Sequence, residues 1–297
     1  MRTLTTITRA FKPEDGVTIG FLIGLTGLLI TVQEQVPSLG TYFRNHALMI
    51  GLYLLFLWLH HKSKTRLTRF ARHWYPVFLF PVVYHELEPI IHVLIPRLLD
   101  PVLIDIDRAV FGVIPNLWLE RIVNPWLTEI LQVAYSTYYY VPTFLGIFIY
   151  AKGWDRAYHD LLLTMVLCIY GSFVGFLLVP TLGPRFHLAH QFTVPLEGKF
   201  LAPLVTQFMD IQSIEGGAFP SAHCAVALLT LVFSYRYVRP LFYIALPLMI
   251  GLFFSTVYGR YHYVVDVAAG MLLGGLAAYV SPKINSGWQR RAAATPS

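Results

Sequence analysis

Charge is what this chain has least of. Asp, Glu, Lys and Arg make up 13% of its 297 residues against 56% hydrophobic, and the mean hydropathy is +0.58. A soluble globular domain carries about twice that share of charge, ~25%, so that class is excluded. Acidic residues are missing from six long apolar runs, 16–33, 45–59, 130–151, 161–184, 216–235 and 240–259, and a further run, 263–282, holds only Asp266. Cysteine is nearly absent as well. Cys168 and Cys224 cannot build a disulfide framework and lack the spacing of a zinc ribbon, which leaves packing as their expected role. The runs are continuous rather than alternating, which excludes a membrane β-barrel. There is no internal repeat and no low-complexity stretch beyond a short Ala-rich tail.

What is present is a set of apolar segments near the ~20 residues that cross hydrocarbon as a helix. In lipid the backbone must satisfy its own hydrogen bonds, and continuous runs do so only as helices. The expectation is one all-α integral membrane domain, a polytopic helical bundle with about six to eight transmembrane helices. Within residues 1–297 it divides into N-terminal helices (16–95), an outer interfacial segment (96–127), a helical core carrying the chemistry (128–282) and a tail (283–297). The first run follows Arg2, Arg9, Lys12, Glu14 and Asp15 without a small-residue cleavage site, so a retained helix is expected rather than a cleaved signal.

The net charge of +6 does not imply a nucleic-acid partner, because the basic residues fall in short links between apolar runs. The densest stretch, 60–74, carries Lys62, Lys64, Arg66, Arg69 and Arg72 with no acid. It reads as a cytoplasmic loop, or as a basic surface helix on the same side. Segment 74–95 contains Pro76, Pro81, His85, Glu86, Glu88 and Pro89 and is expected to be broken or partly interfacial. If it crosses, Lys152, Arg156, Arg236, Arg239, Lys283, Arg290 and Arg291 all fall inside, with both termini cytoplasmic. The plasma (inner) membrane is the expected location. Segments 96–126, 181–217 and 259–261 then face outward, the first reading as an amphipathic interfacial helix flanked by Trp118 and Trp126.

Three outward segments carry residues suited to phosphate chemistry. In "RYHYVVD", His262 and Asp266 are four apart and share a helix face, so the carboxylate can hold the imidazole tautomer that leaves the other nitrogen free as a nucleophile. An ionisable residue inside a membrane helix is a functional candidate by default, against the plainer reading of a helix-locking pair. In "GGAFPSAHCAV", Ser221 and His223 open a helix whose free N–H groups suit an anion, with a capping serine beside a hydrogen-bonded histidine as the plainer reading. Arg185 in "GPR", and Arg260, match phosphate geometry, or else snorkel to headgroups. His85, Glu86 and Glu88 are candidates for a pocket that holds a hydroxylated acceptor, or a structural polar network.

"FPSAH" resembles the Pro-Ser-Gly-His motif, and "RYHYVVDVAAG" the final motif, of the type 2 phosphatidic acid phosphatase and haloperoxidase superfamily. With "GPR", the layout is most similar to the branch that contains inositol phosphorylceramide synthase. The resemblance implies His262 as the nucleophile that becomes phosphohistidine, Asp266 as its orienting partner and His223 as the acid that protonates the leaving alcohol. It implies that Ser221, Arg185 and Arg260 hold the phosphate oxygens, with no metal and no cofactor. Two positions depart from the family pattern: Thr256 stands where an arginine is usual, and the usual lysine with an Arg-Pro pair is missing before "FPSAH".

The expected activity is a metal-independent transfer of phosphoryl groups from a membrane lipid phosphoester. The acceptor is a lipid alcohol, as in headgroup transfer, or water, as in a phosphatase of phosphatidic acid or a prenyl diphosphate. A proton-coupled anion carrier is the alternative from another class, with His85, Glu86, His223 and Asp266 as relay and Arg185 as anion site. A metal-dependent hydrolase using His262, Asp266 and His223 is a third.

Overall fold

The computed structural model describes residues 11–36 and 38–294, with side chains to Arg290; Arg2, Arg9 and the side chain of Arg291 lie outside the described residues. The chain runs through α1 (Pro13–Thr31), α2 (Leu39–Ser63), α3 (Arg66–Leu94), the short α4 (Asp100–Phe111) and α5 (Pro115–Trp118), α6 (Pro125–Ala151) and α7 (Asp155–Leu178). The short α8 (Pro184–His187) and α9 (Ala202–Gln212) follow, then α10 (Ala222–Tyr237), α11 (Arg239–Tyr258) and α12 (Val264–Ala294). Among the described residues there is no strand, only an isolated bridge between Thr181 and Gly217. Eight long helices overlie the seven apolar runs and segment 74–95, within the expected six to eight, and α1, α3, α7, α11 and α12 are individually long and apolar enough to span a membrane. This is an all-α polytopic membrane protein.

α7 is the central post. It packs against α1, α3, α6, α10 and α12, which accounts for a sequence that is apolar around its whole circumference rather than along one stripe. Leu161, Leu163, Val166, Phe173 and Phe176 are all buried on it.

The helices alternate in direction and gather Lys12, Lys62, Lys64, Arg66, Arg69, Arg72, Lys152, Arg156, Arg236, Arg239, Lys283 and Arg290 at one end, hereafter the basic end. A polar network ties that end together. Asp15 of α1 pairs with Arg72 of α3 and accepts from Tyr53 of α2, while Glu14 pairs with His159 of α7 at 2.5 Å. Asn285 of α12 donates to Asp160 of α7 at 2.5 Å. The starts of α1 and α7 and the far part of α12 therefore lie together.

Three expectations are corrected here. The stretch 60–74 is not a loop: α2 continues to Ser63, Lys64 turns in the left-handed region (φ 46°), and Thr65 caps α3 by accepting from the Thr68 N–H at 3.2 Å. Segment 74–95 is not broken, because α3 carries Pro76, Pro81 and Pro89 within one continuous helix. Each proline deletes one ladder hydrogen bond, and the packed faces on either side keep the axis intact. The tail at 283 is no separate segment either, since α12 runs through Pro282, held by Ser281 against Thr164 and by Asn285 against Asp160.

Two arginines of α3 separate a buried from an exposed ion pair. Arg72 and Asp15 are buried, whereas the Arg69–Asp155 pair is exposed. Arg72→Ala leaves an uncompensated buried carboxylate and is expected to destabilise by about 3–5 kcal/mol. Arg69→Ala is expected to cost no more than about 1 kcal/mol. Thermal unfolding of both variants in detergent checks the contrast.

Candidate active site

At the end opposite the basic end, α4 supplies two carboxylates seven residues apart, Asp100 and Asp107, and therefore on one face. Both are buried, Asp100 at 0% and Asp107 at 1% exposure. Asp100 accepts the N–H groups of Leu182 and Gly183, each at 2.9 Å, and the Tyr263 hydroxyl at 3.0 Å. Asp107 accepts the N–H groups of Val264 and Val265 at 2.8 and 2.9 Å, capping the start of α12. Burial pushes the Asp107 carboxyl above its ordinary value, and those two N–H groups pull it part of the way back. The opposite stripe of α4, Val102, Ile106 and Val110, is exposed. A helix stands in the segment expected to be interfacial, with Asp100 and Asp107 turned inward and Asp105 exposed.

α4 thus clamps the loop before α8 to the start of α12. The Thr181–Gly217 bridge joins that same loop to the approach to α10, with Thr181 N–H donating to Gly216 O and Ala218 N–H to Thr181 O, each at 3.2 Å. Close backbone approach completes the assembly. A Cβ on Gly270 would sit 2.2 Å from the Ser221 carbonyl oxygen, so α12 reaches the α10 cap only because that residue has no side chain. Gly183, at φ +83°, likewise lies against the Tyr261 carbonyl.

Four side chains line up where these segments meet. Asp266 Oδ2 lies 3.5 Å from His262 Nδ1 and accepts the Tyr263 N–H at 3.0 Å. His262 Nε2 faces His223 Nδ1 at 3.5 Å, and His223 Nε2 meets the Tyr135 hydroxyl of α6 at 3.0 Å. The tautomers that serve every contact put a proton on His262 Nδ1, toward Asp266, and on His223 Nδ1, toward His262. His262 Nε2 then presents a lone pair. Two separations of 3.5 Å are long for hydrogen bonds, as is common in a site before substrate tightens it. Ser221 caps α10 by accepting from the Cys224 N–H at 3.3 Å and is fully buried.

The turn that presents His262 is tightly held. Tyr261 and His262 N–H groups both donate to Thr256 O at 3.0 Å, and Asn116 Nδ2 donates to the carbonyls of Val257 and His262 at 2.9 and 3.1 Å. Arg260 adopts φ +65°, unfavourable for a residue with a Cβ. Its guanidinium is secured by Glu120 Oε1 at 2.9 Å, by Val194 O at 2.5 Å and by the Phe192 ring 3.8 Å below. Burial lowers its pKa from the ordinary value, and Glu120 counters this.

The expected site residues therefore separate. His262, Asp266, His223 and Ser221 come together. Arg185 and Arg260 instead share a neighbouring pocket of about 490 Å³ with Gln132, Thr193, Thr206 and Tyr261, the residue next to His262. There Arg185 pairs with Asp210 of α9 at 2.5 Å, while Tyr261 donates to Gln132 at 3.0 Å. Arg260 is thus engaged by Glu120 rather than aimed at the histidines. The grouping of His85, Glu86 and Glu88 is corrected: His85 is exposed, Glu86 meets Asn45 and His46 of α2, and Glu88 accepts the Glu215 N–H at 3.1 Å. None of the three lines the cavity that His223 and His262 share. Among the described residues no group of three or more His, Cys, Asp or Glu is placed to hold a metal ion. Asp100, Asp107, Asn116, Glu120 and Tyr135 were missed by sequence reasoning; the one available signal was the seven-residue spacing of the α4 acids.

Residues 102–280 match the PAP2 superfamily, and the chain belongs to it. A PA-phosphatase related-family protein of Dictyostelium discoideum is 29% identical over 166 residues, a stretch that covers 48% of this chain and 30% of that relative. The match therefore takes in less than a third of the relative's length. No solved structure matches.

Gly270→Ala drives a Cβ into the backbone of the α10 cap, and an overpacking cost of about 1–3 kcal/mol is expected. Asp107→Ala uncaps α12 and is expected to cost about 2 kcal/mol, with Asp107→Asn recovering part of it. Thermal unfolding in detergent reads both. A stability unchanged in Asp107→Ala would remove the carboxylate from its assigned place.

Proposed function

We propose that the chain is a membrane-embedded, metal-independent lipid phosphotransferase or phosphatase that works through phosphohistidine at His262. The observation that carries this reading is the line from Asp266 through His262 and His223 to Tyr135. PAP2 superfamily membership supports an activity of the same type.

The chemistry balances with these residues alone. His262 Nε2 forms a bond to phosphorus as the ester P–O bond breaks, and the departing oxygen takes the proton from His223 Nδ1. Asp266 stabilises the imidazolium that His262 becomes. The acceptor oxygen, of water or of an alcohol, then gives its proton to His223 and displaces His262 from phosphorus. Tyr135 holds His223 in register throughout. Phosphoryl transfer needs little else besides positioning and charge stabilisation.

Headgroup transfer, as in inositol phosphorylceramide synthase, is favoured over hydrolysis. The supporting feature is the second pocket beside Tyr261, where Arg185, Gln132, Thr193 and Thr206 offer charge and hydrogen bonds to a polar headgroup or hydroxylated acceptor. Arg185 would exchange Asp210 for substrate phosphate. The excess of Lys and Arg at the basic end supports a cytoplasmic location for both described ends of the bundle, with the histidines facing the extracytoplasmic side.

The test uses purified protein in detergent and chelator with radiolabelled lipid phosphates and phosphoinositides, with and without ceramide or diacylglycerol. Wild type is expected to trap acid-labile label and His262→Ala none, while His223→Ala slows turnover by about 10²–10⁴-fold. A new labelled lipid marks transfer, and free phosphate alone marks a phosphatase. Undiminished turnover in His262→Ala would overturn the phosphohistidine reading.

A further inference from the structure

His223 and His262 also form one end of a cleft of about 430 Å³ that runs from the site toward the basic end between α3, α6 and α7. One wall is a stripe on α7, Leu161, Met165, Ile169, Phe173 and Phe176, spaced three or four apart and so on a single face. From Leu161 to Phe176 the helix rises about 22 Å. One leaflet of hydrocarbon is roughly 15 Å deep, half of the ~30 Å core. The cleft therefore passes the midplane.

It is open on one side and closed below. α3 and α6 each pack on α7 but only weakly on each other, and their facing residues Pro81 and Thr143 line the cleft and are exposed. Toward the basic end the gap is shut by aromatic rings: Trp74 of α3 meets Tyr150 of α6 edge-on at 6.0 Å and Tyr158 of α7 at 5.9 Å. Gly146 of α6 lies beside Trp74, and a Cβ there would stand 3.6 Å from the indole, an ordinary contact, so only a larger side chain would intrude on the floor. This floor is fixed from beneath. Tyr158 donates to the His73 carbonyl at 3.1 Å, and the adjacent Arg72 and His159 belong to the buried Asp15 and Glu14 pairs. α3, which supplies Trp74, lies outside the stretch that matches the superfamily.

We propose that this cleft is a hydrocarbon ruler: it seats the tail of the lipid whose phosphate meets His262, and the floor of Trp74, Gly146 and Tyr158 sets the longest chain that fits. The proposal rests on the lipid phosphate reading above. An extended chain advances about 1.2 Å per bond, so 22 Å accommodates about 18 carbons. A shorter chain forfeits burial at about fourfold in affinity per methylene. A longer one meets the floor.

Two measurements on the full chain in detergent test it. First, His262→Ala is photo-crosslinked to 16-carbon lipid phosphates carrying a diazirine at the terminal or the middle carbon. The terminal probe is expected on peptides holding Trp74, Gly146 or Tyr158, and the middle probe near Ile169 and Phe173. Equal labelling by both probes, spread over the lipid-facing helices, overturns the ruler. Second, kcat/KM is compared across single-chain lipid phosphates of about 8 to 20 carbons. Gly146→Phe fills the floor and is expected to lower the value at least tenfold for the longest chains, with the shortest within about twofold. Trp74→Ala is expected to move the optimum to longer chains. A loss uniform across chain lengths overturns the ruler. Turnover that survives in His262→Ala overturns the phosphohistidine reading instead, and the crosslinks judge the ruler independently.

Discussion

The site depends on the two buried carboxylates of α4. Each neutralises backbone donors that would otherwise be stranded near hydrocarbon, Asp100 in the loop before α8 and Asp107 at the first turn of α12. In a medium with little water such donors have few alternatives, so the carboxylates act as rigid brackets. They join segments about 80 and 160 residues distant in sequence. His262 follows the Thr256 turn, Asp266 lies in the first turn of α12, and Ser221 packs where only Gly270 permits it. Without α4 the histidines would have no common origin.

The molecule segregates its polar groups into two terminal layers with an apolar middle. At one end, Asp15, Glu14, Arg72 and His159 pair among themselves and lock α1, α2, α3 and α7. At the other, the polar line from Asp266 to Tyr135 is only partly satisfied, and Asp266 Oδ1 is buried without a partner. Buried polar atoms without a partner occur in both layers, Glu14 Oε2 and Arg72 Nη1 in the first as Asp266 Oδ1 in the second. The cleft between α3, α6 and α7 connects the two layers. Rigidity at the basic end thereby sets the depth of a space that opens at the histidines.

Arg260 shows how a residue type misleads when read without its surroundings. Its position two residues before His262 suggested a phosphate ligand. The tertiary structure joins it to Glu120 and Phe192, where it secures a left-handed turn. Glu86 misleads similarly, because its partners His46 and Asn45 lie on α2. Both are charged groups whose destination depends on what another segment offers, and no local spacing records that.

The sequence by itself determined the all-α membrane bundle, its six to eight long helices and the grouping of His262 with Asp266. Hydrophobic run length and the four-residue helix repeat are local properties, and lipid leaves the backbone no other solution. Which histidine faces which, that Tyr135 completes the line, that Asp100 and Asp107 turn inward, and that Trp74 and Tyr158 close a cleft were decided only by the tertiary structure. Those contacts join residues far apart along the chain, and they exist because packed helices must match shape and leave few buried donors unpaired, a condition on the whole bundle rather than on any stretch of it.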